Sequence, residues 1–226
     1  MNNYGISILI PLYNGIEFLH ESIGSVIDQT YNNWEVIIGI NGYDENSDIE
    51  IKAKEIINKL NNNNYNIKVI YYNTKGKSQT LNNMVKDAIY DYIALLDVDD
   101  IWLSTKLEKQ ILLLKTYDVI GTQCKYFGNL NIVPNIPVGD LSSHDFYSGN
   151  PLINSSIIIN KQDAFWDEKT GLEDYDMWFK LYYMNKKFYN IPEILCYHRI
   201  HGNSAFNNSN NNYVEILKDK WRKYGK

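Results

Sequence analysis

The chain has 226 residues, with 27 acidic against 22 basic side chains and a formal net charge of -5 at pH 7. One domain of this length can bury a sizeable core, whereas the lack of a basic excess argues against nucleic acid as a partner, because a phosphate backbone is bound by clustered Lys and Arg. The two cysteines, Cys124 and Cys196, are too few for a disulfide framework and lack metal-ligand spacing, which indicates a reducing compartment and a place in the core.

The hydropathy pattern bears on where the protein works. The first five residues lack the charged region of a signal peptide, and no apolar run is long enough to span a bilayer. We therefore expect a cytoplasmic protein without a transmembrane segment, and attachment at a membrane surface stays open.

Strand-like and helix-like segments alternate through the first half of the chain. Short apolar runs rich in β-branched residues predict strands at residues 6–10, 35–40 and 67–72, and at a fourth run that begins at Tyr92. Apolar residues at helical spacing predict a helix after each strand, and the expected N-terminal caps are Asn14 with Glu17, Ser47, Ser78 and Ser104. Repeated strand and helix units with apolar strands predict a Rossmann-like, mostly parallel sheet with helices on both faces.

The second half is less regular. Residues 121–149 have weak periodicity and predict a loop-rich region with at most one strand. Strands are predicted at 155–160 and 188–197, and a helix that opens after Gly171 is expected to bury Trp178. The low-complexity segment 205–212 is expected to be mobile, and an amphipathic helix over 213–223 ends the chain.

An acidic cluster ends the fourth predicted strand, where the run from Tyr92 to Leu96 is followed by Asp97, Asp99 and Asp100. Because strand side chains alternate, Asp97 and Asp99 are expected on one face and Asp100 on the other. Two carboxylates suit Mg²⁺ or Mn²⁺, which complete their shells with water and substrate phosphates. A solvated acidic turn is the alternative, but ligands bind outside the carboxyl ends of parallel strands, and this position favours a metal site.

Several segments occur in the order and spacing of one known family. They are residues 6–14 (ISILIPLYN), 25–31 (SVIDQTY) with Trp34 and Glu35, 76–78 (GKS) with Leu81 and Asn82, 96–100 (LDVDD), Glu173 with Asp174, and 198–201 (HRIH). In these segments the chain resembles glycosyltransferase family 2, the nucleotide-sugar enzymes with the GT-A fold. The resemblance implies one domain over 1–226, with a nucleotide-sugar half (1–103), an acceptor half (104–204) and a C-terminal tail and helix (205–226).

The resemblance also implies an activity, the inverting transfer of a hexosyl or N-acetylhexosaminyl group from a nucleotide diphosphate to an acceptor, and a role for each matching residue. Nucleotide-sugar contacts fall to Pro11, Tyr13, Asn14, Asn41, Lys77, Asp97, Val98, Asp99 and Arg199. Asp99 and His201 are the implied ligands of Mn or Mg, and Asp174 is the implied catalytic base. The acceptor or sugar pocket is expected to use Asp100, Trp102, Glu173 and Trp178.

Some of these residues have plainer interpretations. Lys77 is also what a surface lysine at a helix start looks like, Arg199 and His201 would suit a surface turn before Gly202, and a tryptophan after a strand, such as Trp102, is often core. Asp176 competes with Asp174 as the base; residues two apart on a helix do not share a face, so one of them is expected to reach the acceptor.

The chain departs from the family pattern after the second strand, where two aspartates are common and Asn41 stands instead. Its amide oxygen can still accept from a uracil N–H, so uridine is the expected base. Asn154 occupies a position where some relatives carry a histidine beside the acceptor, which leaves glycan, lipid-linked and protein acceptors open.

Two other functions compete with glycosyl transfer. A nucleotidyltransferase also combines a parallel sheet with acidic metal ligands, but a glycine-rich basic segment is expected near its N-terminus, where this chain has residues 12–17 (LYNGIE). A relative that binds nucleotide or glycan without turnover is supported by Asn41 and opposed by the two acidic segments, which a fold alone does not require.

Overall fold

The computed structural model describes residues 4–61, 65–74, 76–169, 171–202 and 211–224. Most of the predicted mobile segment, 205–210, and part of the loop after the second helix lie outside these residues. The predicted C-terminal helix is present, and it begins two residues earlier than expected, at Asn211.

Nine strands and six α-helices follow one another along the described chain. The strands are β1 (Ile6–Leu12), β2 (Trp34–Asn41), β3 (Ile67–Tyr72), β4 (Tyr92–Leu95), β5 (Ile101–Trp102), β6 (Val119–Gly128), β7 (Gly139–Asp140), β8 (Ile158–Asn160) and β9 (Phe188–Ile200). The helices are α1 (Leu19–Ile27), α2 (Asp48–Leu60), α3 (Lys77–Asp87), α4 (Lys106–Ile111), α5 (Glu173–Tyr183) and α6 (Asn211–Tyr224).

All nine strands form one sheet in the order β3-β2-β1-β4-β8-β6-β9-β5, and β7 pairs with β9. The first four are parallel, as predicted from their apolar sequences. β8 runs antiparallel to both β4 and β6, whereas β6 and β9 are parallel to each other over ten residue pairs. The carboxyl ends of β1 to β4, β6 and β9 therefore meet at one edge of the sheet, where ligands bind in such folds.

Apolar side chains cover both faces of the sheet. On one face, Ile8 and Ile38 pack with the α1 and α2 residues Ile23 and Ala53. On the other face, the β1 residue Leu9 belongs to a second cluster that includes side chains of α3, α5 and α6, namely Met84, Trp178 and Leu217. The prediction of a sheet covered on both faces is confirmed, and Cys124 and Cys196 are buried as expected.

One buried acid ties the sheet to the segment before β4. Glu35 on β2 is fully buried, and its carboxylate accepts hydrogen bonds from Ser7 Oγ (2.7 Å), the Ile89 N–H (2.7 Å) and Lys68 Nζ (2.9 Å). Because the buried carboxylate is hydrogen-bonded by all three donors, Glu35, which belongs to one of the family-like segments, stabilises the fold.

The predicted helix caps were less accurate than the helices. The helix α3 begins at Lys77 after Gly76, whose φ of 105° suits glycine, so Ser78 lies inside the helix rather than capping it. Ser47 holds the N-cap position of α2 without a side-chain capping bond, and Thr105 rather than Ser104 precedes α4. No side-chain cap forms at Asn14, because Gly15 is the N-cap there.

The region 121–149, predicted to be rich in loops, begins with a regular strand. It starts inside the ten-residue strand β6, which was not predicted as a long strand because Gly121, Thr122 and Gln123 interrupt its apolar character. In the part of the chain that the structure describes, no helix combines the length and apolar character that crossing a membrane requires.

Candidate active site

An open cleft of about 1050 Å³ lies at the carboxyl ends of β1, β2 and β3 and reaches the start of α3. This volume is slightly above the usual range for small-molecule sites. The lining residues are Pro11, Tyr13, Asn41, Gly42, Tyr43, Asp44, Glu45, Asn46, Ser47, Tyr71, Asn73, Thr74, Gly76 and Lys77. Four predicted nucleotide contacts, Pro11, Tyr13, Asn41 and Lys77, are thus brought together in one cleft.

Two tyrosines form an aromatic wall of this cleft. The ring of Tyr13, which is 55% exposed, lies 5.6 Å from the ring of Tyr43, measured between centroids. Tyr43 donates its hydroxyl to Asn14 Oδ1 at 3.2 Å, which connects Asn14, another predicted nucleotide contact, to the wall. Gly42 has a φ of 76°, and a Cβ there would lie 2.6 Å from the Tyr13 ring, so a glycine is needed for this ring position.

Asn41 ends β2 and is only 3% exposed. Its Oδ1 atom is buried and has no hydrogen-bond partner among the described residues. Buried polar atoms are nearly always paired, so an unpaired acceptor that lines a cleft indicates a ligand that donates a hydrogen bond.

The acidic cluster is a turn and not the end of a strand. β4 ends at Leu95, and the N–H of Asp100 donates to the carbonyl of Asp97 at 3.0 Å. Strand alternation therefore does not decide where these carboxylates point, and that part of the sequence argument was wrong. Each carboxylate instead has its own neighbours.

Asp97 links the acidic turn to the cleft. Lys77 Nζ donates to Asp97 Oδ1 at 2.6 Å, and Asn154 Nδ2 lies 3.3 Å from both carboxylate oxygens. Burial alone would raise the pKa of Asp97, but the Lys77 ammonium and the Asn154 amide outweigh it and lower that pKa. Conversely, burial would lower the pKa of Lys77, and the carboxylates of Asp97, Glu173 and Asp174 together raise it.

Asp99 pairs with His201, the second predicted metal ligand. His201 Nε2 lies 2.9 Å from Asp99 Oδ2, and both side chains are partly exposed. The pKa of Asp99 is raised by burial and by the negative charges of Asp100 and Asp97, although the bond to His201 opposes this. Asp99 thus carries a negative charge that its surroundings do not fully neutralise.

Asp100 does not line a pocket, contrary to the prediction. It is fully buried, and its carboxylate accepts from the Arg199 N–H at 2.8 Å and lies 2.9 Å from His198 Nδ1. Burial lowers the pKa of His198, but the Asp100 carboxylate more than reverses this and raises it to about 9. The pair holds β9 against the acidic turn, because it joins a protonated imidazole to a carboxylate under the site.

The Arg199 guanidinium takes part in several contacts. Its Nε donates to the Asp99 carbonyl at 2.9 Å and its NH2 group donates to Glu21 at 2.7 Å. The guanidinium also lies 4.5 Å from the centre of the Phe18 ring and 4.3 Å from that of Phe127. Arg199 therefore positions the backbone of Asp99.

The first turn of α5 carries three acids with different surroundings. Asp174 Oδ2 accepts from Asn150 Nδ2 at 3.3 Å, and burial and the neighbouring Glu173 raise its pKa to about 6 despite the nearby Lys77. Asp176 is 4% exposed and accepts from Lys220 Nζ at 2.8 Å and from Trp221 Nε1 at 2.7 Å. Asp176 thus fastens α6 to α5, whereas Asp174 and Glu173 lie near Lys77 and Asp97.

Three other predicted site residues lie in the core. Trp102 is 3% exposed, donates Nε1 to the Ser155 carbonyl at 2.6 Å and has Lys106 Nζ 3.9 Å above its ring, so it presents no face to a sugar. Trp178 is fully buried in the cluster under α5, which corrects its assignment to the acceptor pocket. The Val98 side chain is 7% exposed and packs in the core, so it offers no side-chain surface to a nucleotide.

The structure adds residues that the sequence did not single out. Tyr43 forms the aromatic wall, Asn150 contacts Asp174, and Ser155 Oγ accepts from the Asp97 N–H at 3.0 Å. They come from loops or short turns without periodicity, so the only signal would have been their tertiary neighbours.

The residues present suit a divalent cation that takes only one or two ligands from the protein. No group of three or more His, Cys, Asp and Glu side chains is arranged around a metal position in the described ranges. Mg²⁺ and Mn²⁺ sites that use substrate phosphates need one or two protein carboxylates, and the incompletely neutralised Asp99 beside His201 meets this requirement.

Comparison with known proteins gives a family. The model described as glycosyl transferase family 2 matches residues 7–209. One curated relative is the Escherichia coli enzyme UDP-Glc:alpha-D-GlcNAc-diphosphoundecaprenol beta-1,3-glucosyltransferase WfgD, which is 28% identical over 87% of this chain and 75% of its own length.

Solved structures show the same fold. TarS of S. aureus, residues 1–349 in complex with UDP-GlcNAc, superposes with a TM-score of 0.73 at 17% identity, over 91% of this chain and 61% of that one. The mannosyltransferase PcManGT from Pyrobaculum calidifontis, with GDP-Man and Mn²⁺, gives 0.67 at 11% identity, over 89% and 58%. The chain spans less than two thirds of either structure, and the predicted GT-A architecture is confirmed.

Proposed function

The chain belongs to glycosyltransferase family 2, and from this premise we propose that it transfers a sugar from a UDP-sugar to a hydroxyl of a lipid-linked glycan, with inversion at the anomeric carbon. One observation carries the proposal. Lys77 lines the cleft, donates to Asp97 at 2.6 Å and lies in the field of Glu173 and Asp174. The donor cleft, the acidic turn and the start of α5 therefore converge on one ammonium group.

The donor base occupies the cleft between β1 and β2. The unpaired Asn41 Oδ1 accepts the N–H of uracil, and the exposed Tyr13 ring offers a surface against which the base can stack. TarS, which was solved with UDP-GlcNAc, has the same fold. The PcManGT complex contains GDP-Man, so a guanine donor is the alternative that the experiment has to separate.

The diphosphate lies between Lys77 and the acidic turn. The Lys77 ammonium can bind a phosphate oxygen of the donor once its hydrogen bond to Asp97 is broken. Asp99 and His201 would hold Mn²⁺ or Mg²⁺, whose charge would offset that of the departing diphosphate. Arg199 and Ser155 keep the turn in place through bonds to the Asp99 carbonyl and the Asp97 N–H.

Asp174 is the proposed catalytic base. The acceptor hydroxyl oxygen attacks the anomeric carbon, its proton passes to a carboxylate oxygen of Asp174, and the bond from that carbon to the diphosphate oxygen breaks. The pKa of about 6 leaves Asp174 ionised at neutral pH yet more basic than an exposed aspartate. Asn150 orients the carboxylate by donating to Oδ2.

The curated relatives support a lipid-linked acceptor. WfgD acts on GlcNAc-diphosphoundecaprenol according to its name, and a second E. coli relative, WfaP, 27% identical over 94% of this chain, carries the same description. We assign this chain a lipid-linked acceptor of the same kind and therefore a place at a membrane surface.

Thermal-shift and calorimetric titration with UDP, GDP and ADP, each with Mn²⁺ or with EDTA, tests the donor assignment. A ligand that binds only the folded state raises its apparent stability. We expect stabilisation by UDP, strengthened by Mn²⁺. Stabilisation by GDP alone would overturn the uracil assignment, and no response to any nucleotide would overturn the donor site itself.

A further inference from the structure

One exposed apolar surface has no role in the proposed site. It is formed by residues 129–138, which connect β6 to β7 and are called the apolar loop below. Its exposed aliphatic side chains are Leu130 (37%), Ile132 (48%), Val133 (51%) and Val138 (46%). Not one charged residue occurs between positions 126 and 139. Leu130, Ile132 and Val133 lie within four residues of one another, and exposed apolar residues that cluster in this way mark interaction surfaces more often than single ones do.

The apolar loop is held in place by hydrogen bonds. The Asn129 N–H donates to the Ile200 carbonyl and the Tyr126 N–H donates to the Ile132 carbonyl, both at 2.8 Å. At the other end, Asn190 Nδ2 donates to the Pro137 carbonyl at 2.7 Å. With these backbone groups paired inside the protein, aliphatic side chains can enter an apolar medium without burying those groups unpaired.

Topology puts the start of the loop beside the candidate active site. β6 and β9 are parallel and end at Gly128 and Ile200, at the edge of the sheet where β1 to β4 also end. Gly128 has a φ of 89°, and a Cβ there would lie 2.6 Å from the Ile200 carbonyl, so only glycine allows the chain to turn into the loop here. The next residue after Ile200 is His201, the partner of Asp99.

A cation accompanies the apolar side chains. Lys125 precedes the loop on β6, and it makes no ion pair with any residue in the described part of the chain. On the same face of β6 lies Phe127, against which Arg199 packs. An aliphatic surface beside an unpaired lysine is complementary to the acyl chains and phosphate groups of an anionic bilayer.

The composition of the loop argues against a protein as its partner. Protein interfaces are anchored mainly by Tyr, Trp and Arg, and none of these occurs in residues 129–138. A second copy of the chain would need roughly 800 Å² on each partner, more than a few aliphatic side chains supply.

We propose that the apolar loop is a membrane-contact segment, in which Leu130, Ile132 and Val133 enter the headgroup region of an anionic bilayer and Lys125 contacts lipid phosphate. This inference deepens the proposed function, on which it rests for its purpose: the bilayer that carries the lipid-linked acceptor lies against the edge of the sheet that holds the active site. Binding to the bilayer itself requires neither donor nor turnover.

Vesicle flotation tests the proposal, using phosphatidylcholine vesicles with and without phosphatidylglycerol. The wild-type chain should bind the anionic vesicles, and the double substitution Ile132→Asp with Val133→Asp should weaken binding by roughly tenfold or more. Lys125→Gln should weaken it by about fivefold on anionic vesicles only. The matched control is Ile51→Asp, at a side chain that is 47% exposed on α2. This variant should bind vesicles like the wild type.

Two further measurements separate this proposal from the proposed function. UDP-induced thermal stabilisation should be unchanged in the loop variants, which shows that they are folded and that donor binding is independent. The proposal is wrong if the wild type ignores anionic vesicles, or if Ile51→Asp loses as much binding as the loop variant. If the wild type does not bind vesicles but forms a concentration-dependent dimer, and Ile132→Asp makes it monomeric, the loop contacts a second copy of the chain instead.

Discussion

Replacing Asp174 with asparagine tests the proposed chemistry most directly. The substitution keeps the size of the side chain, but an amide nitrogen replaces one carboxylate oxygen and so removes the group that takes up the acceptor proton. Removing a general base lowers rates by roughly a hundredfold to ten-thousandfold. Among the described residues of the donor side, Asp174 interacts electrostatically with Lys77 and Asp97, and these interactions are not contacts with the nucleotide, so UDP affinity should change little. Transfer from a UDP-sugar to a GlcNAc-diphospholipid, measured as UDP release, gives the rate.

The pH profile supplies an independent readout. With a pKa of about 6, Asp174 is protonated as the pH falls through that value, so the wild-type rate should fall tenfold per pH unit below it and level off above it. The Asp174→Asn variant should lack this acidic limb, whatever its residual rate.

Asp176→Asn is the matched control, two residues along the same helix. Asp176 accepts from Lys220 and Trp221, so its loss should lower the free energy of unfolding by roughly 1.5–3 kcal/mol. The rate per folded molecule should stay near that of the wild type. Near-normal turnover in Asp174→Asn together with a collapse in Asp176→Asn would refute the assignment of the base.

Three further predictions concern the metal, the nucleotide base of the donor and the fold. Asp99→Asn should weaken UDP binding in Mn²⁺ by at least roughly tenfold and leave it unchanged in EDTA; equal wild-type affinities in the two buffers, by calorimetry, would contradict a metal role. Asn41→Ala should weaken UDP binding about tenfold by removing the unpaired acceptor, and a thermal-shift preference for GDP over UDP would exclude uracil. Glu35→Ala should cost roughly 2–4 kcal/mol in urea unfolding, because buried donors such as Ser7 lose their acceptor, whereas the exposed Glu55→Ala should cost little.

The sequence predicts the sheet better than the ends of its helices. β1 and β2 are continuous apolar runs, so their burial on both faces follows from local composition. The position of a helix cap depends on the backbone conformation of the preceding loop. The N-cap of α3 is Gly76, whose positive φ is easily adopted only by glycine, so Ser78 lies inside the helix. The full length of β6 was not predicted, because Gly121 and Gln123 interrupt its apolar run and its pairing with β9 over ten residues compensates for them.

The candidate site was predictable as a set of residues and not as a geometry. Tyr13, Asn41 and Lys77 are far apart in the chain and meet only because β1, β2 and α3 end at one edge of the sheet. A strand period was assumed for the acidic residues, but the chain turns after Leu95. Tryptophans near a site can line it or pack beneath it, and the side-chain pattern does not separate the two cases for Trp102.

Five of the acids described above fall into two groups that the structure separates by their partners. Glu35, Asp100 and Asp176 are at most 4% exposed, and each carboxylate accepts at least two short hydrogen bonds from within the fold.

Asp99 and Asp174 are more exposed than these three, and burial together with neighbouring like charges raises the pKa of each, which means that the fold leaves negative charge there without a full partner. A protein retains such charge at a cost in stability, and sites that bind cations or accept protons are where that cost has a use. Substitution in the first group should therefore lower stability, whereas substitution in the second should change binding or rate and leave stability the same or higher.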